Sequence, residues 1–182
     1  MKPLSAFKLF LLTRFSKPAC DREIYQSIKK YRLKSIVELG LGNGSRAEMM
    51  IRVAQKFSAT ESIRYTGIDL FEARENASEK LTLKEMHKRV HTFGVKAQLV
   101  PGNPEMAIAR IANSHLRTDL ILVSGVYCEA DLASCWVYFP RMLHAQSIVM
   151  VQAAPGEKFQ TFSRLEIEKR AGQTKYRASA AA

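Results

Sequence analysis

The sequence predicts an α/β fold: a three-layer, doubly wound and mostly parallel sheet. Three observations carry that reading. Five short apolar runs recur, at 36–39, 63–68, 96–100, 119–123 and 147–151. Segments of helical periodicity separate them, with short connections between. The length of 182 residues suits one such domain and leaves little room for a second.

The chain opens on an amphipathic helix with Leu4, Phe7 and Leu11 on one face. Lys8 and Arg14 interrupt its apolar run, and no small-residue cleavage site follows, so it does not read as a leader. Asp21 can cap a second helix that turns Ile24, Ile28 and Tyr31 inward. These helices, residues 1–34, are expected to pack on a core domain of residues 35–172.

Ile36 to Leu39 is the first strand, apolar on both faces as a central parallel strand should be. A helix follows from Ser45 to Phe57, with Ala47, Met50, Ile51 and Ala54 at helical spacing. Ile63 to Ile68 is the second strand and ends in Asp69. The next helix lines up Leu83, Met86, Val90 and Phe93, and Gly94 stops it. Lys96 to Val100 is the third strand. Pro104, after the turn at 101–103, suits the first position of a helix carrying Met106, Ile108, Ile111 and Ala112.

Asp119 to Val123 is the fourth strand. Glu129 to Leu143 reads as one helix, with Leu132, Trp136, Phe139 and Leu143 inward and Pro140 kinking its end. Ser147 to Val151 is the fifth strand. Lys158 to Ala171 has a weaker helical pattern, and residues 173–182 read as a frayed or edge-like tail. About 30 residues remain after the fifth strand, enough for a helix and one short strand, so the C-terminal edge of the sheet is expected to be reduced.

Composition excludes several classes. No apolar run is long enough to span a bilayer, which takes about 20 residues. Three cysteines, Cys20, Cys128 and Cys135, with no C-x-x-C pair, argue against a disulfide framework or a zinc knuckle. They imply reduced thiols and a cytoplasmic protein, with Cys128 and Cys135 packed in helices. The net charge is +11. The bases are spread along the chain, which reads as a solvated basic surface, and nucleic acid is a partner not favoured over it. His87 and His91 have a spacing that can bind zinc, but without a neighbouring Glu they read as solvent-exposed.

The functional signal sits after the first strand. Gly40, Gly42 and Gly44 occupy alternate positions there. Glycine admits positive φ and lets a ligand reach the backbone. The helix starting at Ser45 aims free N–H groups at the same place. The loop lacks the lysine of a P-loop, and its third glycine comes one residue early for a dinucleotide fingerprint. Asp69 ends the neighbouring strand, where a carboxylate can accept both hydroxyls of a ribose. Together they indicate a nucleoside-containing cofactor.

These residues, V-E-L-G-L-G-N-G-S at 37–45, G-I-D-L at 67–70, V-P-G-N-P at 100–104 and D-L-I-L-V-S-G at 119–125, resemble the class I S-adenosylmethionine-dependent methyltransferases. The resemblance covers Ile36 to Val151, and its first motif is the most specific. It implies S-adenosylmethionine as cofactor. Glu38, Gly40, Leu41, Gly42, Asn43 and Gly44 would line its methionine end. Asp69 and Leu70 would meet the ribose, Gly102 and Asn103 the adenine, and Ser124 would face the transferred methyl group.

The layout most resembles the small-molecule O-methyltransferases, with departures. Ser124 stands where metal-dependent members carry an Asp, and Gln152 and Ala153 stand where a further acid often follows the fifth strand. A hard cation wants carboxylate oxygens, so no metal is expected. The Asn/Asp-Pro motif of amino-group methyltransferases is replaced by Gly125-Val126-Tyr127.

No catalytic residue is identified. Tyr127 and Glu129 follow the fourth strand and could reach the pocket, whereas His144 precedes the fifth strand and belongs to the opposite end of the sheet. The expected activity is methyl transfer to an unidentified, small-molecule acceptor. Two alternatives stay open: a degenerate S-adenosylmethionine-binding scaffold, and an RNA methyltransferase or RNA-binding domain motivated by the charge. Oligomeric state is not legible.

Overall fold

The structure, a computed structural model, describes residues 4–74 and 81–180, and the side chains of all these except 175–180. Six strands form one sheet in the order β3-β2-β1-β4-β5-β6. They are β1 (Ser35–Leu39), β2 (Arg64–Asp69), β3 (Lys96–Pro101), β4 (Thr118–Val123), β5 (Leu143–Gln152) and β6 (Phe159–Ser163). The first five are parallel, and β6 runs antiparallel to β5. The strand order reverses beside β1, which is where open sheets of this kind place ligands. Leu39 is level with Ile68 on one side and Val123 on the other, so the ends of β1, β2 and β4 open onto one region.

The two sheet faces are set by alternation along each strand. Ile36, Leu120, Leu122 and Met150 bury one face against α2 (Asp21–Tyr31) and α3 (Ser45–Phe57). Val37, Leu39, Ile121, Val123 and Val149 bury the other against α5 (Pro104–Ile111), α7 (Cys135–Met142) and α8 (Arg164–Ala180). Helix α4 (Leu83–His91) starts in a capping box in which Thr82 and Glu85 bond each other's backbone N–H groups.

Several sequence expectations change. In α1 (Ala6–Phe15) the buried residues are Leu9 and Thr13, while Phe7, Phe10 and Phe15 are exposed and Leu11 is 38% exposed. Leu4, just before the helix, is buried as expected. The segment carries apolar residues all round, so docking against α2, and not periodicity, chooses the inward side. In α2 the inward tyrosine is Tyr25; Tyr31 ends the helix and is 54% exposed. Asp21 is not the cap but the first residue of α2, buried and turned toward Arg46.

The single helix expected from 129 to 143 is two, a one-turn α6 (Glu129–Leu132) and α7. Leu143 opens β5 instead. Thr118 pairs with Leu143 and Leu120 with Ile148, so the strand begins earlier and bulges before Ser147. Cys135 is buried in α7 as expected, but Cys128 is exposed at the start of α6. All three thiols are free.

Residues 159–163 are an edge strand, not helix, in keeping with their Phe and Thr content. Helix α8 then runs on to Ala180, through most of the expected tail; residues 181–182 lie outside the described residues. A strand and a helix thus follow β5, as the remaining length suggested. Among the described residues no helix is long and apolar enough to cross a membrane.

Candidate functional site

Strand β1 ends at Leu39, and the backbone turns through Gly40 (φ 82°), Gly42 (φ 57°) and Gly44 (φ 79°) before α3 begins. All three lie in the left-handed region, where a Cβ is penalised. Gly40 is also crowded. A Cβ there would stand 2.8 Å from Val126 Cγ2 and 2.9 Å from Ser124 Cβ. The loop after β4 therefore lies against the glycine loop. Gly42 and Gly102 are different: a Cβ on either meets nothing within 4 Å. Their backbones face open space, one after β1 and the other after β3.

Asp69 organises the loop. Its Oδ2 accepts the Leu41 N–H at 2.7 Å and its Oδ1 the Phe71 N–H at 2.8 Å. Its carbonyl accepts the Gly102 N–H at 3.0 Å, tying in the turn after β3. Leu41 and the start of the neighbouring turn are thus held by the carboxylate expected to face a ribose. Leu70 opens that turn and is half-buried.

Arginines that sequence reading missed occupy the loop carbonyls. Arg46 donates to Gly40 O at 2.9 Å, Arg74 to Gly42 O at 3.0 Å, and Arg89 to Asn43 O at 2.6 Å. Each also meets an acid. Arg74 spans Asp69, with Nε on Oδ1 and Nη2 on Oδ2, both at 2.6 Å. Arg89 Nε bonds Glu48. Arg46 Nε bonds Glu38 Oε1 at 2.8 Å and approaches Asp21 at 3.7 Å. Arg46 and Arg89 lie on helices, where arginine is common, and Arg74 follows a turn, so no sequence signal marked these three.

Glu38 is fully buried, and Tyr65 donates a hydrogen bond to its Oε2 at 2.6 Å. Both oxygens are engaged, and the residue touches the loop through Arg46. Burial pushes the Glu38 carboxyl above the usual carboxylate range, against the opposing pull of Arg46. Asp21 shifts the same way for the same reasons. The phenols of Tyr65 and Tyr127 are raised by burial and next by a nearby carboxylate, Glu38 for Tyr65 and Asp69 for Tyr127.

The other expected residues fall at the same end of the sheet. Asn43 Oδ1 accepts the Ser45 N–H at 2.9 Å and helps start α3. Asn103 Oδ1 caps α5 through the Met106 N–H at 2.9 Å. Ser124 is buried, with its N–H on Leu39 O. The Gln152 amide is spent internally: Oε1 accepts the Gly125 N–H at 3.2 Å, and Nε2 donates to Glu157 O at 2.7 Å. Among the described residues no group of three or more His, Cys, Asp or Glu could hold a metal ion. His144 lies at the start of β5, at the opposite end, with Nε2 2.9 Å from Asp119 Oδ1. His87 and His91 are exposed and stack on each other.

No protein-family model matches the sequence, and no curated protein matches it. Solved structures do match in fold. A Staphylococcus aureus protein provisionally assigned as a caffeoyl-CoA O-methyltransferase aligns with a TM-score of 0.55 and 13% identity, over 97% of this chain and 82% of its own. An O-methyltransferase from Bacillus cereus, solved with SAH, aligns at 0.56 and 11%, over 80% and 64%. TomG from Streptomyces achromogenes, an O-methyltransferase involved in tomaymycin synthesis and solved with SAM, aligns at 0.53 and 14%, over 80% and 63%. The chain thus spans somewhat under two thirds of the latter two. Its fold is the class I methyltransferase-like α/β fold, with six mostly parallel strands and helices on both sides.

Proposed function

We propose that this chain is an S-adenosylmethionine-dependent methyltransferase that acts on a small-molecule acceptor without a divalent metal. One observation carries the reading. Three left-handed glycines end the central strand, and the acid of the neighbouring strand holds their loop. That construction leaves backbone open beside Gly42 and Gly102 for a nucleoside cofactor. The fold likeness supports it, since two of the solved neighbours hold SAM or SAH.

The cofactor supplies a methyl group on a sulfonium centre. The chain's own part is binding and alignment, which can carry much of the acceleration of an in-line displacement. Residues 40–44 would hold the methionine end, Asp69 and Leu70 the ribose, and Gly102 and Asn103 the adenine. Glu38 and Arg46 fix the loop from behind. Ser124 and Tyr127 lie beside Gly40, where an acceptor would be oriented. Metal independence rests on Ser124 and on Gln152, whose amide is committed to Gly125 and Glu157.

Calorimetric titration with S-adenosylmethionine and S-adenosylhomocysteine tests this on wild type and Asp69→Ala. Micromolar binding by wild type, weakened about tenfold or more in the variant, is the expected result. If neither ligand binds below millimolar, the cofactor assignment is wrong. A second reading, a non-catalytic cofactor-binding domain, is favoured by Ser124 and Gln152, which stand where acidic residues would serve the reaction. Tight binding of both ligands, with no methyl transfer to any of a panel of hydroxyl-bearing acceptors, would select it.

A further inference from the structure

The five parallel strands begin at the end of the sheet away from the glycine loop, and a cation stands at the start of each. Lys34 directly precedes β1, Arg64 opens β2, Lys96 opens β3, Arg117 directly precedes β4 and Arg141 lies just before β5. All five are exposed. Among the described residues none of them is in an ion pair, whereas Arg46, Arg74 and Arg89 at the loop end each pair with an acid. The acids near the row are few. Asp119 accepts the N–H groups of Lys34 and Ser35 and contacts His144; Glu166 accepts from Ser163; Glu61 lies in the turn before β2.

Two further features mark this end. Arg32 (φ 53°) and Arg117 (φ 63°) hold left-handed backbone, where glycine or asparagine costs less. A long cationic side chain is present there despite the backbone penalty. The surface is also concave. A cleft of about 340 Å³ is lined by Ser35, Arg64, Lys96, Gln98 and His115. A second, of about 790 Å³, is lined by Tyr31, Arg32, Lys34 and Arg117, with the acids Asp119 and Glu166 also on its wall. Tyr31 presents its ring to solvent with Lys30 Nζ 4.7 Å from the centroid.

We infer that this end of the sheet binds single-stranded nucleic acid, by phosphate contacts to the row and base stacking on Tyr31. At strand spacings of about 4.8 Å the row spans roughly 19 Å, which suits a polyanion better than one phosphate. Unpaired cations beside an exposed aromatic are the parts a sequence-tolerant single-strand site uses. A lipid surface fits less well, since the large exposed aliphatics by these clefts are few among the described residues, Leu116 beside Arg117 and Leu165 beside Glu166. The bound strand would lie opposite the glycine loop and so would not be the methyl acceptor. The inference therefore stands apart from the proposed cofactor.

Fluorescence anisotropy with an unstructured oligouridylate across a salt series tests it. Neutralising four or five phosphates predicts a slope of log K against log salt of about −3. The double variant Arg64→Glu/Arg117→Glu should lose at least tenfold in affinity and flatten the slope by about 1.4. Lys8→Glu/Lys84→Glu, an equal charge change on exposed residues of α1 and α4, should keep wild-type binding. Thermal melting checks that both variants fold. Equal loss in the two double variants would reduce the effect to bulk charge and overturn the site. So would the absence of RNA binding, or binding to phosphatidylserine vesicles in its place.

Discussion

A carboxylate has about four acceptor positions; three of those of Asp69 hold hydrogen bonds and the fourth faces an ion-pair contact from Arg74. The Leu41 and Phe71 N–H groups take two, and the Arg74 guanidinium meets the others. Ribose hydroxyls can bind Asp69 only after Arg74 has moved. A ligand that must displace an internal partner loses apparent affinity in proportion to the population of the competent state. Arg74→Ala should therefore tighten S-adenosylmethionine binding, by about tenfold given the strength of a charge-assisted pair. The two backbone donors still hold Asp69 in the variant. Weaker binding on titration would show instead that Arg74 belongs to the ligand's own contacts. The place of Asp69 beside the glycine loop was legible in the sequence because the acid directly ends an apolar strand run. Arg74 was not, because its role depends on a turn whose direction is set by Phe71 at φ 49°.

Among the elements, the loop after β4 and the turn after β5 meet at Gly125. A Cβ there would lie 2.3 Å from the Ala154 carbonyl carbon and 2.7 Å from its oxygen. Backbone cannot yield as a side chain can. Gly125→Ala should cost about 1–3 kcal/mol by overpacking, read as a lower denaturation midpoint at unchanged slope. An unchanged midpoint would mean that the two turns separate freely. This contact also explains why Gln152 is amide and not acid, since its Oε1 serves the Gly125 N–H while its Nε2 serves Glu157 O. One charged oxygen pair could not do both. The elements that resisted sequence reading share a cause. α1 is apolar all round, and 129–143 combines a helical pattern with the bulged start of β5, so burial was decided by neighbours.

For the whole molecule, the parallel sheet and its switch point were legible because apolar runs and helices alternate, and only a few windings satisfy that alternation. The buried residues of β1, β4 and α3 follow directly. Charge pairing was not legible, since it depends on which ends of the strands the arginines reach. One titration couples several layers: His115 joins Thr66 of β2 through Nε2 at 2.8 Å and sits within reach of Ile111 O on α5. Burial first lowers its pKa below the ordinary 6.5. The unfolded chain then binds the proton more readily, so this stability is present above pH 6.5 and is lost as pH falls through the folded value. Chemical denaturation at pH 7.5 and 5 should show that loss in wild type and a smaller one in His115→Gln. An equal loss in both would assign the dependence to other groups.

Five strands that share one direction sort the chain's turns into two kinds. Every start lies at one end and every finish at the other, so the unpaired cations and the glycine loop face opposite ways. The molecule therefore has a cationic base and a glycine-loop top. Held to an anionic support by its base, it would stand with the loop turned outward to solution, and tethering and ligand exchange would not compete.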